Sequence, residues 1–204
     1  MQVHNLGLRR MSLAIAVIAT TLGVTTLAEL RLTKQDATRF ETKLASITHY
    51  GLVPSRRTQT TQVSDAELNS YLKYSAGSQI PVGIVQPTIN ALGNGRVGGR
   101  ALVDLDAVRK QKKRSWTDPL GYLSGMLPIT AAGTLTTQNG VGRFQLESAE
   151  ISGVTIPKSL LQELLSYYSR TTENPSGINM DDPFELPARI REIRVAQGSA
   201  TIVQ

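Results

Sequence analysis

The stretch Ile156-Pro157-Lys158-Ser159-Leu160-Leu161-Gln162-Glu163-Leu164-Leu165-Ser166-Tyr167-Tyr168-Ser169-Arg170 is the clearest helical pattern in this chain. Proline suits the first helical position because its missing N–H would have no partner there. Apolar residues recur at the spacing i, i+3, i+4, i+7 of one helix face, and these are Leu161, Leu164, Leu165 and Tyr168. Such a face must be covered. We therefore expect this helix to be central, with antiparallel hairpins on both sides.

Three hairpins are predicted around that helix. Their turns are Asn94-Gly95, Asn139-Gly140 and Gln197-Gly198, each between segments of alternating polarity. A capping box at Ser64–Glu67 begins a further helix. Hairpins that pair in chain order predict an α+β fold, in which a strongly twisted antiparallel sheet of about six strands curls around the central helix. A hydrophobic helix is expected at the N-terminus.

The N-terminal region has the composition of an export or anchor segment. Arg9 and Arg10 precede the uncharged, apolar run Met11–Ala28, which is close to the length of about 20 residues that spans a bilayer. We favour an uncleaved anchor, with a cleaved signal and a buried core helix as alternatives. The positive-inside rule places the body outside the cytoplasm, in a periplasmic or extracellular location.

These patterns divide the chain into three parts. Residues 1–28 are the signal or anchor segment, residues 29–62 a helical stalk and linker, and residues 63–204 an α+β domain. The stalk contains a helical pattern from Thr33 to Tyr50. Within the domain, a short helix is predicted from Asp118 to Met126, with Pro128 ending it.

The composition excludes several classes of chemistry. The chain has no cysteine and two histidines, so disulfides and thiolate chemistry are absent. It has no Gly-x-Ser-x-Gly elbow, and its glycine-rich stretch at residues 93–99 lacks the lysine and spacing of a phosphate loop. We expect no cofactor, no metal and no catalytic residues.

The net charge of +6 is concentrated in the N-terminal arginines and in one basic run. That run and its neighbouring tryptophan comprise Arg109, Lys110, Lys112, Lys113, Arg114 and Trp116. Basic residues beside an interfacial tryptophan favour contact with an anionic membrane. A solvated charged loop is the alternative. Because the body is expected outside the cytoplasm, nucleic acid is not an expected partner.

Asp104 and Asp106 form the one carboxylate pair that could carry out hydrolysis. Side chains two positions apart on a strand point to the same side, so these two carboxylates are expected on one strand face. A solvated face beside Arg100 is the favoured interpretation. Asp181-Asp182 precedes a proline and indicates a turn.

Three short motifs carry a family resemblance. They are the helix Ser64–Leu72, the strand end Val103–Asp106 and the pair Leu186-Pro187. Their order after an anchoring N-terminus resembles small bacterial envelope proteins of the YpmS-like and LmeA-like groups, over roughly residues 62–204. The resemblance implies a fold related to tubular lipid-binding (TULIP) domains, in which a curled sheet and a long helix leave an apolar groove. The basic run is a departure from those groups.

The leading hypothesis is a non-enzymatic, membrane-anchored envelope domain that binds a lipid or other apolar ligand. The candidate groove residues are Leu161, Leu164, Leu165, Tyr168, Phe144 and Leu146, and for each of them a closed core is the alternative. The expected partner is membrane lipid, with envelope proteins considered as further partners. The second hypothesis is an envelope scaffold or assembly protein with a closed core that acts through its surface.

Overall fold

The computed structural model describes residues 31–53, 57–110, 124–172 and 174–204. The predicted anchor at 1–28, Lys112, Lys113, Arg114, Trp116 and most of the helix predicted from Asp118 lie outside the described residues. Within the described ranges, no helix is both long enough and apolar enough to cross a membrane.

Helices and antiparallel strands are both present, which confirms the mixed α+β class. The helices are α1 Lys34–Leu52, α2 Asp65–Tyr74, α3 Leu105–Lys110 and α4 Lys158–Ser169, with a short 3-10 turn at Gly77–Gln79. The strands are β1 Thr60–Ser64, β2 Ile84–Gly93, β3 Arg96–Asp104, β4 Met126–Gln138, β5 Val141–Ile151, β6 Val154–Thr155, β7 Phe184–Glu185, β8 Glu192–Ala196 and β9 Ser199–Val203.

The strands form two antiparallel sheets. The large sheet has six strands in the order β2-β3-β4-β5-β6, with β7 also paired to β5. The small sheet has the order β1-β9-β8. The predicted turns are present, with Asn94, Gly95, Asn139 and Gly140 all at positive φ, as a two-residue hairpin turn requires.

The predicted pairing of all hairpins in chain order is wrong for the third one. The hairpin β8–β9 pairs with β1, so Thr60, which was expected in a linker, opens a strand opposite Val203. A turn sequence fixes the pairing of the two strands that it joins. It does not fix which other strand lies beside them.

Helix α1 packs against the rest of the protein instead of standing apart as a stalk. Thr33 caps its first turn, and Ala37 and Ile47 are buried. The centres of the Phe40 and Tyr71 rings lie 4.9 Å apart. Apolar contacts of this kind stabilise one packed unit, and the pair α1 and α2 therefore contains a large part of the core.

The large sheet has one apolar and one polar face. The apolar face, deduced from the strand register, comprises Ile84, Ile89, Ala91, Val97, Ala101, Val103, Leu127, Ile129, Ala131, Leu135, Phe144, Leu146, Ala149 and Ile151. The opposite face carries Arg96, Arg100, Thr130, Thr134, Arg143 and Gln145, and beside Arg100 it also carries the apolar residues Val85, Leu102 and Pro128. The period-two alternation expected of half-buried strands is thus confirmed.

Helix α4 is present where the sequence predicts it, but it lies at one side of the fold. It begins at Lys158, packs mainly against β5, and has Leu164 as its buried residue. An amphipathic pattern indicates that a face needs cover, and it does not tell how many elements provide it. Met126 and Pro128, expected at a helix end, lie inside β4, where Pro128 is opposite Leu102.

Candidate ligand-binding cleft

Helix α2 covers part of the outer edge of β2. Its buried side chains Asp65 and Asn69 lie one helical turn apart. The amide N–H of Ala91 donates to the Asp65 carboxylate at 3.0 and 3.1 Å. Asn69 Nδ2 donates to the carbonyl of Ile89 at 2.7 Å, and the Ile89 N–H donates to Asn69 Oδ1 at 2.7 Å. The helix thereby satisfies backbone groups that an exposed edge strand would leave unpaired.

The two carboxylates at the start of α2 are shifted in opposite directions. Burial raises the pKa of Asp65, and the hydrogen bond from Ala91 only partly offsets it. Burial would also raise the pKa of Glu67, but hydrogen bonds from Lys43 and Ser64 outweigh it and lower the pKa. Lys43 Nζ lies 2.7 Å from a Glu67 oxygen. Glu67 is therefore held ionised, whereas the charge of Asp65 is costly.

A bulge separates the first residues of β2 from α2. The register of β2 on β3 shifts between Val85 and Thr88, and Gln86 has a φ of 49°. Pro87 has no N–H to offer a neighbour. The hydrogen bonds from α2 to β2 involve Ala91 and Ile89, and the cleft begins one residue beyond them at Thr88.

The space between α2 and the bulged half of β2 is a cleft of about 720 Å³. Its apolar lining includes Leu72, Ile80, Ile84, Val85, Pro87 and Leu102. Its polar lining includes Asn69, Lys73, Thr88 and Arg100. Among the described residues that line it there are two cations and no carboxylate. A mostly apolar cavity with a few polar groups is typical of a small-molecule site.

The six predicted groove residues lie on α4 and β5, at the other side of the large sheet. Leu164 is buried. The remaining five, Leu161, Leu165, Tyr168, Phe144 and Leu146, are half-buried. The structure brings the two elements together, because α4 packs against β5. Of the described residues that line the cleft, none is among the six, so their role in a groove stays a prediction.

The polar side of α4 is held by the segment 174–183. Gln162 Nε2 donates to the Ile178 carbonyl at 3.0 Å, and the Met180 N–H donates to Gln162 Oε1 at 2.8 Å. The Ile178 N–H also donates to Ser169 Oγ at 2.7 Å. The polar side chains Gln162 and Ser169 are thus hydrogen bonded to backbone groups of this segment.

The basic run is only partly described. Arg109 and Lys110 are the last residues of α3, within a helix and not in a loop. Arg109 forms an ion pair with Asp106 at 2.5 Å. The remaining members of the run lie outside the described residues, so membrane contact through it stays a prediction.

Asp104 and Asp106 do not share a strand face, because β3 ends at Asp104 and α3 contains Asp106. Asp104 Oδ1 accepts from the N–H groups of Asp106 and Ala107 at 3.0 Å, as a helix cap does. The Gly125 N–H and the Arg109 side chain lower the pKa of Asp106. Both carboxylates serve local structure, and no group of three or more metal-ligating side chains occurs in the part of the chain described.

The cleft could have been suspected from one signal. Pro87 interrupts an otherwise alternating strand pattern, and proline within a strand indicates an edge position or a bulge. The partner of that edge, α2, could not be read from the pattern. The hydrogen bonds of Asp65 and Asn69 to β2 span 26 and 20 residues of sequence.

No known protein-family model matches this chain, and no curated protein sequence matches it. Among solved structures, similarity is found to a crystal structure of a lipopolysaccharide binding protein, with 13% sequence identity and a TM-score of 0.22. The match covers 71% of this chain and 40% of that chain, so the chain spans less than half of its length. The resemblance to the YpmS-like and LmeA-like groups stays a prediction.

Proposed function

We propose that this protein is a non-enzymatic domain that binds a lipid or another apolar ligand. The cleft of about 720 Å³ between α2 and β2 carries the proposal. Its volume falls within the range of about 300 to 1,000 Å³ that is usual for small-molecule sites. Apolar side chains from a helix, a turn and two strands converge on it. An apolar ligand that contacts these side chains would displace water from their surface, which favours binding.

The same proposal places the domain at a membrane, outside the cytoplasm. Its support is the sequence of residues 9–28, where two arginines precede an uncharged apolar run. Membrane lipid is the proposed source of the ligand. Contact with envelope proteins is the further partner that the proposal includes.

A second location for the ligand is the apolar face of the large sheet beside α4. Phe144 and Leu146 lie on that face and are only half-buried, as are Leu161, Leu165 and Tyr168 on the helix. Half-buried apolar residues that lie together indicate a binding surface more often than scattered ones do. The two locations lie at opposite edges of the sheet, so variants can separate them.

Native mass spectrometry of residues 30–204, purified from cells without detergent, tests the proposal. This segment contains every described element. We expect additional mass that leaves as a discrete lipid under mild activation. A bare polypeptide mass that stays unchanged after incubation with a lipid extract would contradict the proposal and favour the closed-core scaffold.

Two pairs of variants locate the ligand. Val85→Trp fills the cleft, and Val154→Trp is its control because Val154 is 64% exposed and lies on β6. Leu164→Glu places a charge at the buried position of α4, and Leu160→Glu is its control because Leu160 is 42% exposed. Loss of lipid in Val85→Trp alone assigns the cleft. Loss in Leu164→Glu alone, with the fold retained, assigns the α4 groove.

A further inference from the structure

We infer that the cleft between α2 and β2 selects an anionic amphiphile, and that Arg100 and Lys73 bind its charged head. This inference rests on the proposed function, because it names the class of ligand that the cleft takes. The starting observation is the charge of the lining, with two cations and no carboxylate among its described residues.

Arg100 is an exposed cation that forms no ion pair with a carboxylate within the described ranges. The contrast with Arg96 on the same strand face is informative. Arg96 Nε lies 2.9 Å from Glu147 Oε2, whereas the strand neighbour of Arg100 is Thr88, which donates to the Arg100 carbonyl at 3.5 Å. The guanidinium of Arg100 therefore keeps its planar set of donors for an anion.

Lys73 lines the same cleft from the last turn of α2. Its Nζ lies 5.1 Å from the centre of the Tyr74 ring, and no carboxylate of the described residues pairs with it. Lys43, by contrast, is held by Glu67 at 2.7 Å. Two like charges at one cleft repel each other, and a bound anion would relieve that repulsion.

The apolar part of the cleft would bind the hydrocarbon chain of the ligand. Val85 and Leu102 are opposite each other on β2 and β3, one pair along from Thr88 and Arg100. Both pairs lie on one face of the sheet, because Leu102 and Arg100 are two residues apart on β3 and the bulge at residues 86–87 keeps Val85 and Thr88 opposite them. A cation thus lies beside an apolar floor, which matches a molecule with a carboxylate or phosphate at one end and a hydrocarbon chain at the other.

Binding of oleate and of oleyl alcohol to the full chain tests the inference, because the two probes share one hydrocarbon chain and differ in the head, which is an anionic carboxylate in oleate and a neutral hydroxyl in the alcohol. We expect oleate to bind about tenfold more tightly or better, as a charge-assisted hydrogen bond allows. Arg100→Gln and Lys73→Gln should each weaken oleate binding by about tenfold and leave alcohol binding unchanged. Arg143→Gln is the matched control, because Arg143 is an exposed arginine on the same sheet face and does not line the cleft.

Each outcome decides the inference. Equal affinity for the two probes, or equal oleate affinity of Arg100→Gln and Arg143→Gln, would overturn the head selection and leave the proposed function standing. Binding of neither probe would contradict both. If Arg100→Gln fails to fold, Arg100→Lys should keep part of the preference. Salt supplies an independent readout, since it should weaken the binding of oleate and not that of the alcohol.

Discussion

The side-chain amide of Asn69 is hydrogen bonded to both backbone groups of Ile89, with two distances of 2.7 Å. One side chain on a helix thus takes the place that a neighbouring strand would occupy beside β2. Gln162 does the same for the segment 174–183, through Ile178 and Met180. In both places a helix side chain satisfies backbone groups of a neighbouring segment without a further strand.

Asn69→Ala should lower the free energy of unfolding by about 2–4 kcal/mol, because it leaves the N–H and carbonyl of Ile89 without their partners in a partly buried position. Asn90→Ala, at the next position on β2, is the control and should cost less than about 1 kcal/mol. Urea unfolding monitored by circular dichroism measures both. Equal midpoints for the two variants would contradict the structural role of Asn69.

Glu67 should make the protein less stable in acid. Its pKa is lower in the folded state, so the unfolded chain binds more protons and stability falls as the pH drops through the usual range of a glutamate, about 4.3, and below. Glu67→Gln should lower the free energy of unfolding at neutral pH by about 1–3 kcal/mol. It should also flatten the dependence on pH. A series of unfolding curves between neutral and acid pH measures this.

Asp65 should have the opposite effect on the pH dependence of stability. Its pKa is raised in the folded state, so protonation favours folding and the cost of its charge is relieved as the pH falls. Asp65→Asn keeps an oxygen for the Ala91 N–H and removes the buried charge. We expect it to match or exceed the wild-type stability at neutral pH, whereas Asp65→Ala should lose about 1–3 kcal/mol. Equal losses in the two variants would show that the charge itself is needed.

Gly133→Ala should destabilise the large sheet. A Cβ at Gly133 would lie 2.5 Å from the Phe144 ring and would also collide with the carbonyl of Gln145. Such overpacking costs about 1–3 kcal/mol. Gly99→Ala is the control, because its Cβ would meet the Thr88 carbonyl at an ordinary 3.6 Å. Thermal unfolding compares the two, and equal melting temperatures would contradict the close approach of Phe144 to β4.

Gln162→Ala should release the segment 174–183 from α4. The side chain provides hydrogen bonds to Ile178 and Met180, and without them the segment should be cut faster by a protease. Glu163→Ala, which changes an exposed neighbour, is the control. Limited subtilisin digestion with the cut sites mapped by mass spectrometry measures the rate, and equal rates would contradict this attachment.

The sequence signals that proved right are local. Ser64 and Glu67 form the capping box within one helical turn, and Asn94-Gly95 forms a hairpin turn between adjacent strands. Residues next to each other in the chain determine these features. Sequence alone therefore suffices for these local features and for two of the large sheet's hairpins.

The features that sequence reasoning missed depend on distant residues. The place of α4 depends on how much of its face β5 covers. Asp104 and Asp106 were separated because β3 ends at Asp104, two residues earlier than the alternating pattern predicts. The cleft requires α2 to lie beside β2, and the contact of Asn69 with Ile89 that holds it spans 20 residues. Periodicity reports which face of an element is apolar, and not which element meets it.

The pairing of β1 with β9 has a consequence for how the chain folds. Gln62 Nε2 donates to Ser199 Oγ across these strands at 3.5 Å, and the two residues are 137 apart in sequence. The small sheet can therefore close only after nearly all of the chain between them is available, and contacts this remote slow folding. The large sheet, built from sequential hairpins, can form earlier. We expect the helix pair α1 and α2 to remain loosely held, with its apolar surface exposed to chaperones, until the last strand docks.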